Sequence, residues 1–236
     1  MEKLREKYAS TRQLLQDSRD YYQSLHDEQK ALDQQFKEID YKSNEFKNYI
    51  EKSNELKERQ DKNKLLEEVL TNNLISIQQE LLEIALDYFK ENYKDKRLGE
   101  KTKEKYQNEV QDLINKNYNI DVHCYLRQKE TYNNTIEYAI CIQFKDYYYT
   151  NALNSEKGIY NITNDEKYLY YYNKIDYIDI DNIDKYVNEL DQNMANARKE
   201  LETLGKVLND KIDAYNKVCI GTLNYKRINH IYLTNR

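Results

Sequence analysis

The chain has 236 residues, of which 39% are hydrophobic and 33% charged, and its formal net charge is -5. That balance argues against a general duplex nucleic-acid binder, which holds phosphates with an excess of Lys and Arg. With no Pro and only 4 Gly, the usual residues of tight turns are scarce, so few, long elements joined by Asn- and Asp-based turns are expected.

Tyr reaches 25 and Trp is absent. Tyr, Asn, Lys and Ile share AT-rich codons, so part of the composition reflects an AT-rich genome, as in low-GC bacteria, their phages and mobile elements. The three cysteines, Cys124, Cys141 and Cys219, are odd in number and widely spaced, which does not support a disulfide framework. The N-terminus has no apolar signal-peptide core, and no apolar run approaches the roughly 18 residues of a membrane span. A cytoplasmic protein that does not engage a membrane is expected.

From Leu4 onward, apolar residues return every three or four positions, as at Tyr8, Leu15, Tyr22, Leu25, Leu32, Phe36, Ile39, Phe46 and Ile50. This is a heptad seam, and it predicts a coiled-coil helix over 1–64. Thr11, Ser18, Gln29, Ser43 and Ser53 interrupt the seam; polar residues there cost stability but fix register. The pattern thins at Asp61-Lys62-Asn63-Lys64, where a bend or break is expected.

Residues 65–182 are predicted to form an α+β head. A wider apolar stripe over 65–92, including Leu70, Leu74, Ile77, Leu81 and Ile84, implies burial on more than one side and a helix lying against the sheet. Gly99, after the basic stretch from Lys94 to Arg97, reads as a helix C-terminal signal. A second helix is expected over 102–117, capped by Thr102, with Tyr106, Val110, Leu113 and Ile114 on its buried face.

The period then changes to two. Ile120, Val122, Cys124 and Leu126 alternate with polar neighbours, and so do Ile136, Tyr138, Ile140, Ile142 and Phe144. Strands are expected over about 119–128 and 135–146, paired as an antiparallel hairpin. Residues 150–166 read as loop, with further strands over about 167–173 and 175–180.

The closing helix is predicted over 183–220, begun by Asp181 or Asn182 and ended by Gly221. Its seam is Ile183, Val187, Leu190, Met194, Ala197, Leu201, Leu204, Leu208, Ile212 and Tyr215. The tail, 221–236, alternates at Ile228, His230 and Tyr232 and is expected as an edge strand. Together these elements predict an α+β fold in which the N- and C-terminal helices pair as a long antiparallel coiled-coil stalk. A small antiparallel β-sheet and helix head is inserted between them, and uncovered seam would allow a homodimer.

The chemistry-bearing residues give weak signals. His123 and Cys124 are adjacent on a strand and point to opposite faces, so joint metal ligation is disfavoured. Cys141 could be paired with His123 or His230, but no nucleophile turn surrounds it. Asp176, Asp179, Asp181 and Asp184 lack the Gly and closing Glu of a calcium loop, and acids favour a helix N-terminus. Neither familiar glycine-rich phosphate cradle is present. No catalytic residue, metal or cofactor is assigned, and the chain is not expected to be an enzyme.

The unusual feature is a tyrosine field. Tyr147, Tyr148, Tyr149, Tyr168, Tyr170 and Tyr172, with Lys145 and Lys174, are the candidate partner-binding residues. Tyr160, Tyr171 and Tyr177 extend the field. Tyr is enriched at protein interfaces because a stiff ring buries much area while its hydroxyl stays paired. The expected role is a coiled-coil interaction protein of phage or mobile-element origin. It would bind, and by binding inhibit, a host protein or nucleoprotein complex. The alternatives are a single-stranded nucleic-acid binder that stacks bases on the Tyr field, and a small hydrolase or transferase with a site in the head.

Overall fold

The structure is a computed structural model that describes residues 2–37, 44–93, 98–130, 136–145, 160–162, 168–170, 174–219 and 229–230. The fold is α+β. Helices α1 (Glu2–Phe36), α2 (Asn44–Asn92) and α3 (Glu100–Tyr118) precede strands β1 (Val122–Glu130), β2 (Ile136–Phe144), β3 (Tyr160–Ile162) and β4 (Tyr168–Tyr170). A 3-10 turn, Ile180–Asn182, leads into α4 (Ile183–Cys219). The chain divides into two compact units, Met1–Ile183 and Asp184–Arg236.

In the first unit the opening seam folds back on itself. The expected single helix over 1–64 is instead two, and α1 runs antiparallel to α2. Paired positions descend in step: Lys7 meets Glu80 at 3.0 Å, Ser18 meets Asn63 at 3.0 Å, and Phe36 lies 5.9 Å from Phe46 between ring centroids. The exposed face of α1 supports its own helix through Gln–Asp pairs four residues apart. Gln13–Asp17, Gln16–Asp20 and Gln29–Asp33 bond at 2.8, 2.9 and 2.8 Å, each of a kind that adds about 0.2–0.5 kcal/mol.

The break expected at 61–64 does not occur. Asn63 is a buried seam residue inside α2, and its amide nitrogen donates to the Ser18 carbonyl at 3.0 Å. Its Oδ1 accepts from the Ser18 hydroxyl. A polar side chain that looks like an interruption in sequence is here the partner of another, so the two mark one register of the helix pair. Thr11 is likewise buried.

The core gathers where the C-terminal half of α2 meets α3 and the sheet. Leu81, Leu82, Ala85 and Phe89 pack with Tyr106, Val110 and Ile114, and all are fully buried. The same layer takes in Val122, Cys124, Ile140 and Ile142. Burying each large apolar side chain contributes about 1.5–3 kcal/mol. An exposed ion pair such as Arg59–Glu28 contributes at most about 1 kcal/mol. Apolar packing therefore dominates this region.

The sheet order is β1-β2-β3-β4, antiparallel throughout, with Cys124 opposite Ile142 and Tyr160 opposite Tyr170. The expected hairpin of β1 and β2 is present. The loop expected over 150–166 contains β3, a short strand that Asn and Gly neighbours conceal. The strand expected over 175–180 is absent: residues 174–179 join no ladder.

Two end signals also differ from expectation. Gly99 does not end a helix but stands at the N-cap of α3 with extended φ -71° and ψ 165°, a role Gly fills well. Its carbonyl accepts from the Thr102 and Lys103 amides at 2.9 and 3.0 Å, so Thr102 lies inside the first turn. The closing helix is preceded by the 3-10 turn rather than by a side-chain cap, and Asn182 N donates to the Asp179 carbonyl at 3.0 Å.

The second unit is α4 with a short described piece of tail, where His230 Nε2 lies 2.7 Å from Asp213 Oδ1. Most of the tail, including the expected edge strand at Ile228 and Tyr232, lies outside the described residues. Among the described residues, no helix is long and apolar enough to cross a membrane.

The helix-pair register generates a stability prediction. Asn63→Ala leaves Ser18 without its buried partner and should lower unfolding free energy by about 1–3 kcal/mol. A urea midpoint equal to that of the parent, with the same slope, would show that this amide does not hold the helices together.

Candidate interaction surface

The tyrosine field is only partly described. Tyr168 and Tyr170 form β4, where Tyr168 stands opposite Ile162 and Tyr170 opposite Tyr160. Tyr147, Tyr148, Tyr149 and Tyr172 lie outside the described residues. Lys145 is exposed in the turn after β2, and its amide donates to the Asp121 carbonyl at 3.0 Å. Lys174 is exposed at the start of the extended run 174–179. The register therefore joins Tyr160, Tyr168 and Tyr170 on adjacent short strands.

The extended run shows why a period of two did not make a strand. Asn73, fully buried on α2, donates its amide to the Ile178 carbonyl and accepts from the Ile178 amide, both at 2.8 Å. Gln79 Oε1 accepts from Ile175 N at 3.0 Å. Side-chain amides here do the work of a neighbouring strand. Gln78, on the same buried face, donates to the Ile142 carbonyl of β2.

Tyr177 is the one member of the field whose side chain is described in full. Its hydroxyl lies 3.1 Å from Thr11 Oγ1, and the Lys7 ammonium sits 4.5 Å from its ring centroid. Burial pushes its pKa above the ordinary 10. Lys7 also pairs with Glu80. The half-buried ring is thus held against α1, a structural task that its place in a tyrosine-rich sequence does not reveal.

A second polar cluster escaped sequence reading. Glu109 Oε2 accepts from the Tyr93 hydroxyl at 2.5 Å and the Tyr88 hydroxyl at 3.0 Å, while Lys105 approaches Oε1 at 3.6 Å. These bonds, chiefly that from Tyr93, hold the carboxyl below its ordinary 4.5. Burial, with the adjacent carboxylate, pushes Tyr93 up to about 12. Tyr106 donates to the Ala85 carbonyl at 2.7 Å, and burial raises its pKa well above 10. The phenols keep their protons and the carboxylate lacks one, which suits a structural bond. The sequence signal was available only as α3 spacing: Lys105 and Glu109 are four apart, but the tyrosine partners of Glu109 lie at and just beyond the end of α2.

The outer edge of β1 is closed by α3. Gln111 Oε1 accepts from Cys124 N at 3.1 Å, and Gln107 donates to the Cys124 carbonyl at 3.0 Å. The Cys124 side chain faces the core, while His123 is exposed, as strand alternation requires. Burial lifts the Cys124 thiol to about 12 and raises the half-buried Cys141 as well. Both therefore hold their protons near neutrality, and the thiolate is the nucleophilic form.

Asp176, Asp179, Asp181 and Asp184 are all exposed. Among the described residues, no three or more His, Cys, Asp or Glu side chains gather in a metal-holding arrangement. A shallow groove of about 280 Å³ lies between α1 and α2, lined by Glu28, Leu32, Lys52, Glu55, Leu56 and Arg59. Its charges are mixed, and Arg59 is engaged by the Tyr21 hydroxyl at 2.9 Å and Glu28 at 3.1 Å. No family model, curated protein or solved structure matches this chain.

Several apolar side chains of α4 are partly exposed. Met194, Leu201, Leu204, Val207 and Tyr215 are 42%, 42%, 51%, 46% and 44% exposed. Four of the five are seam positions.

Two predictions follow from the clusters. Asn73→Ala removes both bonds to Ile178 and should cost about 2–6 kcal/mol, from two backbone groups left unpaired at about 1–3 each. Hydrogen exchange should accelerate at Ile178 ahead of the core strands; unchanged exchange there would remove the clamp. For Glu109, a folded-state pKa below 4.5 contributes stability that is present above that pH and lost as pH falls through the folded value. For Tyr93, the raised pKa contributes stability present below 10 and lost as pH rises toward about 12. Glu109→Gln should flatten the acid limb of the stability profile, and Tyr93→Phe the alkaline limb. Parallel profiles in variant and parent would refute the coupling.

Proposed function

We propose that the chain is a non-catalytic coiled-coil interaction protein whose tyrosine-rich strand region contacts another macromolecule. The coiled-coil helices act as the stalk, and Tyr147, Tyr148, Tyr149, Tyr168, Tyr170 and Tyr172, with Lys145 and Lys174, supply the contacts. The observation that carries this reading is the apolar seam of α4, exposed at Leu201 and Leu204 by 42% and 51%. Single exposed apolar side chains are ordinary, but Leu201 and Leu204 fall at heptad spacing, as a coiled-coil contact with another helix would use. The AT-biased composition fits a phage or mobile-element product acting in the cytoplasm. Its target would be a host protein or nucleoprotein complex, inhibited by the contact.

The test is capture from a low-GC bacterial lysate by the immobilised chain, in parallel with Tyr168→Ala/Tyr170→Ala. A specific macromolecule should be retained by the parent and reduced at least about tenfold by the variant, in line with the loss of two interface tyrosines. Equal retention by both chains removes the tyrosine surface. Retention only of single-stranded nucleic acid, steeply weakened by salt, would replace a protein partner with base stacking.

A further inference from the structure

Along β1 the alternation buries Val122, Cys124 and Leu126 and leaves His123, Tyr125 and Arg127 exposed on the other face of the sheet. The His123 and Tyr125 rings follow one another along the strand, 6.0 Å apart between centroids, and Tyr125 is 39% exposed. Across the ladder, His123 stands opposite Gln143, Tyr125 opposite Cys141 and Arg127 opposite Ala139. Cys141 and Ala139 are small, so the ring of Tyr125 and the guanidinium of Arg127 rise above a low neighbouring strand.

The charge of this row departs from that of the chain. The whole sequence carries 42 acids against 37 Lys and Arg, yet no carboxylate occurs at these three positions or at the three opposite them. One step further along, Lys129 stands opposite Glu137, and the two offset each other. At the other end, Asp121 accepts from the Asn115 side-chain amide at 2.6 Å. Among the described residues, no ion pair or hydrogen bond engages the Arg127 guanidinium or the Tyr125 hydroxyl. Tyr88, Tyr93, Tyr106 and Tyr177, in contrast, all have bonded hydroxyls.

We propose that the outer face of β1 binds a single-stranded nucleic acid, with bases stacked on Tyr125 and His123 and a phosphate held by Arg127. Stacking uses the ring face that every base possesses, and a single strand, unlike a duplex, leaves those faces open. Two rings and one cation therefore make a contact without the broad basic surface that a duplex requires. A protein partner would need an apolar centre to this face. Among the described residues of β1 and β2, Tyr125 is the one large apolar side chain that is exposed. The proposal goes beyond the tyrosine contact described above and assigns its contacts to different residues, so either can fail alone.

The experiment is fluorescence anisotropy of labelled oligothymidylate and oligouridylate, each about 12 nucleotides long to span a single-strand site, titrated with the full chain. Binding should appear at low salt and weaken as salt rises. Tyr125→Ala should weaken it about 5- to 150-fold, the loss of one stacked base, while Tyr125→Phe should bind as the parent does. Arg127→Gln should make the dependence of log affinity on log salt shallower by about 0.7, the loss of one phosphate contact. Tyr168→Ala/Tyr170→Ala should leave oligonucleotide binding unchanged. Both β1 side chains are exposed, so the circular dichroism of these variants should match that of the parent.

No anisotropy change at low salt overturns the proposal, and so does equal affinity of the parent and Tyr125→Ala. A salt dependence unchanged in Arg127→Gln removes the phosphate contact and overturns it as well. If Tyr125→Ala loses a captured protein while neither oligonucleotide binds the parent, the row is a protein contact and the proposal is wrong.

Discussion

The buried amide face of α2 is the constraint on which the first unit depends. Asn63, Asn73, Gln78 and Gln79 are all buried, where an unpaired amide costs several kcal/mol. Each is satisfied by something distant in sequence: Ser18 on α1, Ile178 in the extended run, Ile142 on β2 and Ile175. The apolar residues between them supply most of the stabilising burial, but they accept many neighbours. The amides accept one, because a bond lost in the interior is not replaced by water. Packing therefore makes the helix stable, and the amides select what lies against it.

The same logic runs through α3. Gln107 and Gln111 bind both backbone groups of Cys124, which closes part of an edge that would otherwise invite another strand. Glu109, on the same helix, gathers the hydroxyls of Tyr88 in the last turn of α2 and of Tyr93 just beyond it. Polar side chains on helices thus replace ladder bonds twice in this fold, once for the run 174–179 and once for the edge of β1. These bonds commit the Tyr88 and Tyr93 hydroxyls and the four buried amides of α2 to structure.

Unit two presents a different balance. Along its helix Val187 and Ile212 are buried while Leu201 and Leu204 are exposed, and apolar area left in water is what association removes.

What the sequence by itself determined was periodicity. It identified the helical character of the terminal thirds, the burial of the 65–92 stripe, the β1–β2 hairpin and the Cys124/His123 alternation, because each follows from neighbours within a few residues. Even the polar seam residues Thr11 and Ser18 were legible as seam. What only the tertiary structure decided was partnership. A heptad pattern states that a helix needs a companion but not which one, so the fold-back of α1 onto α2 was hidden, and Asn63 looked like a break. An alternating run states that a backbone is extended but not what satisfies it, so residues 174–179 looked like a strand until Asn73 and Gln79 took the place of one. Likewise Tyr177 could be counted but not assigned, since its burial depends on Lys7 and Thr11 far away in the chain.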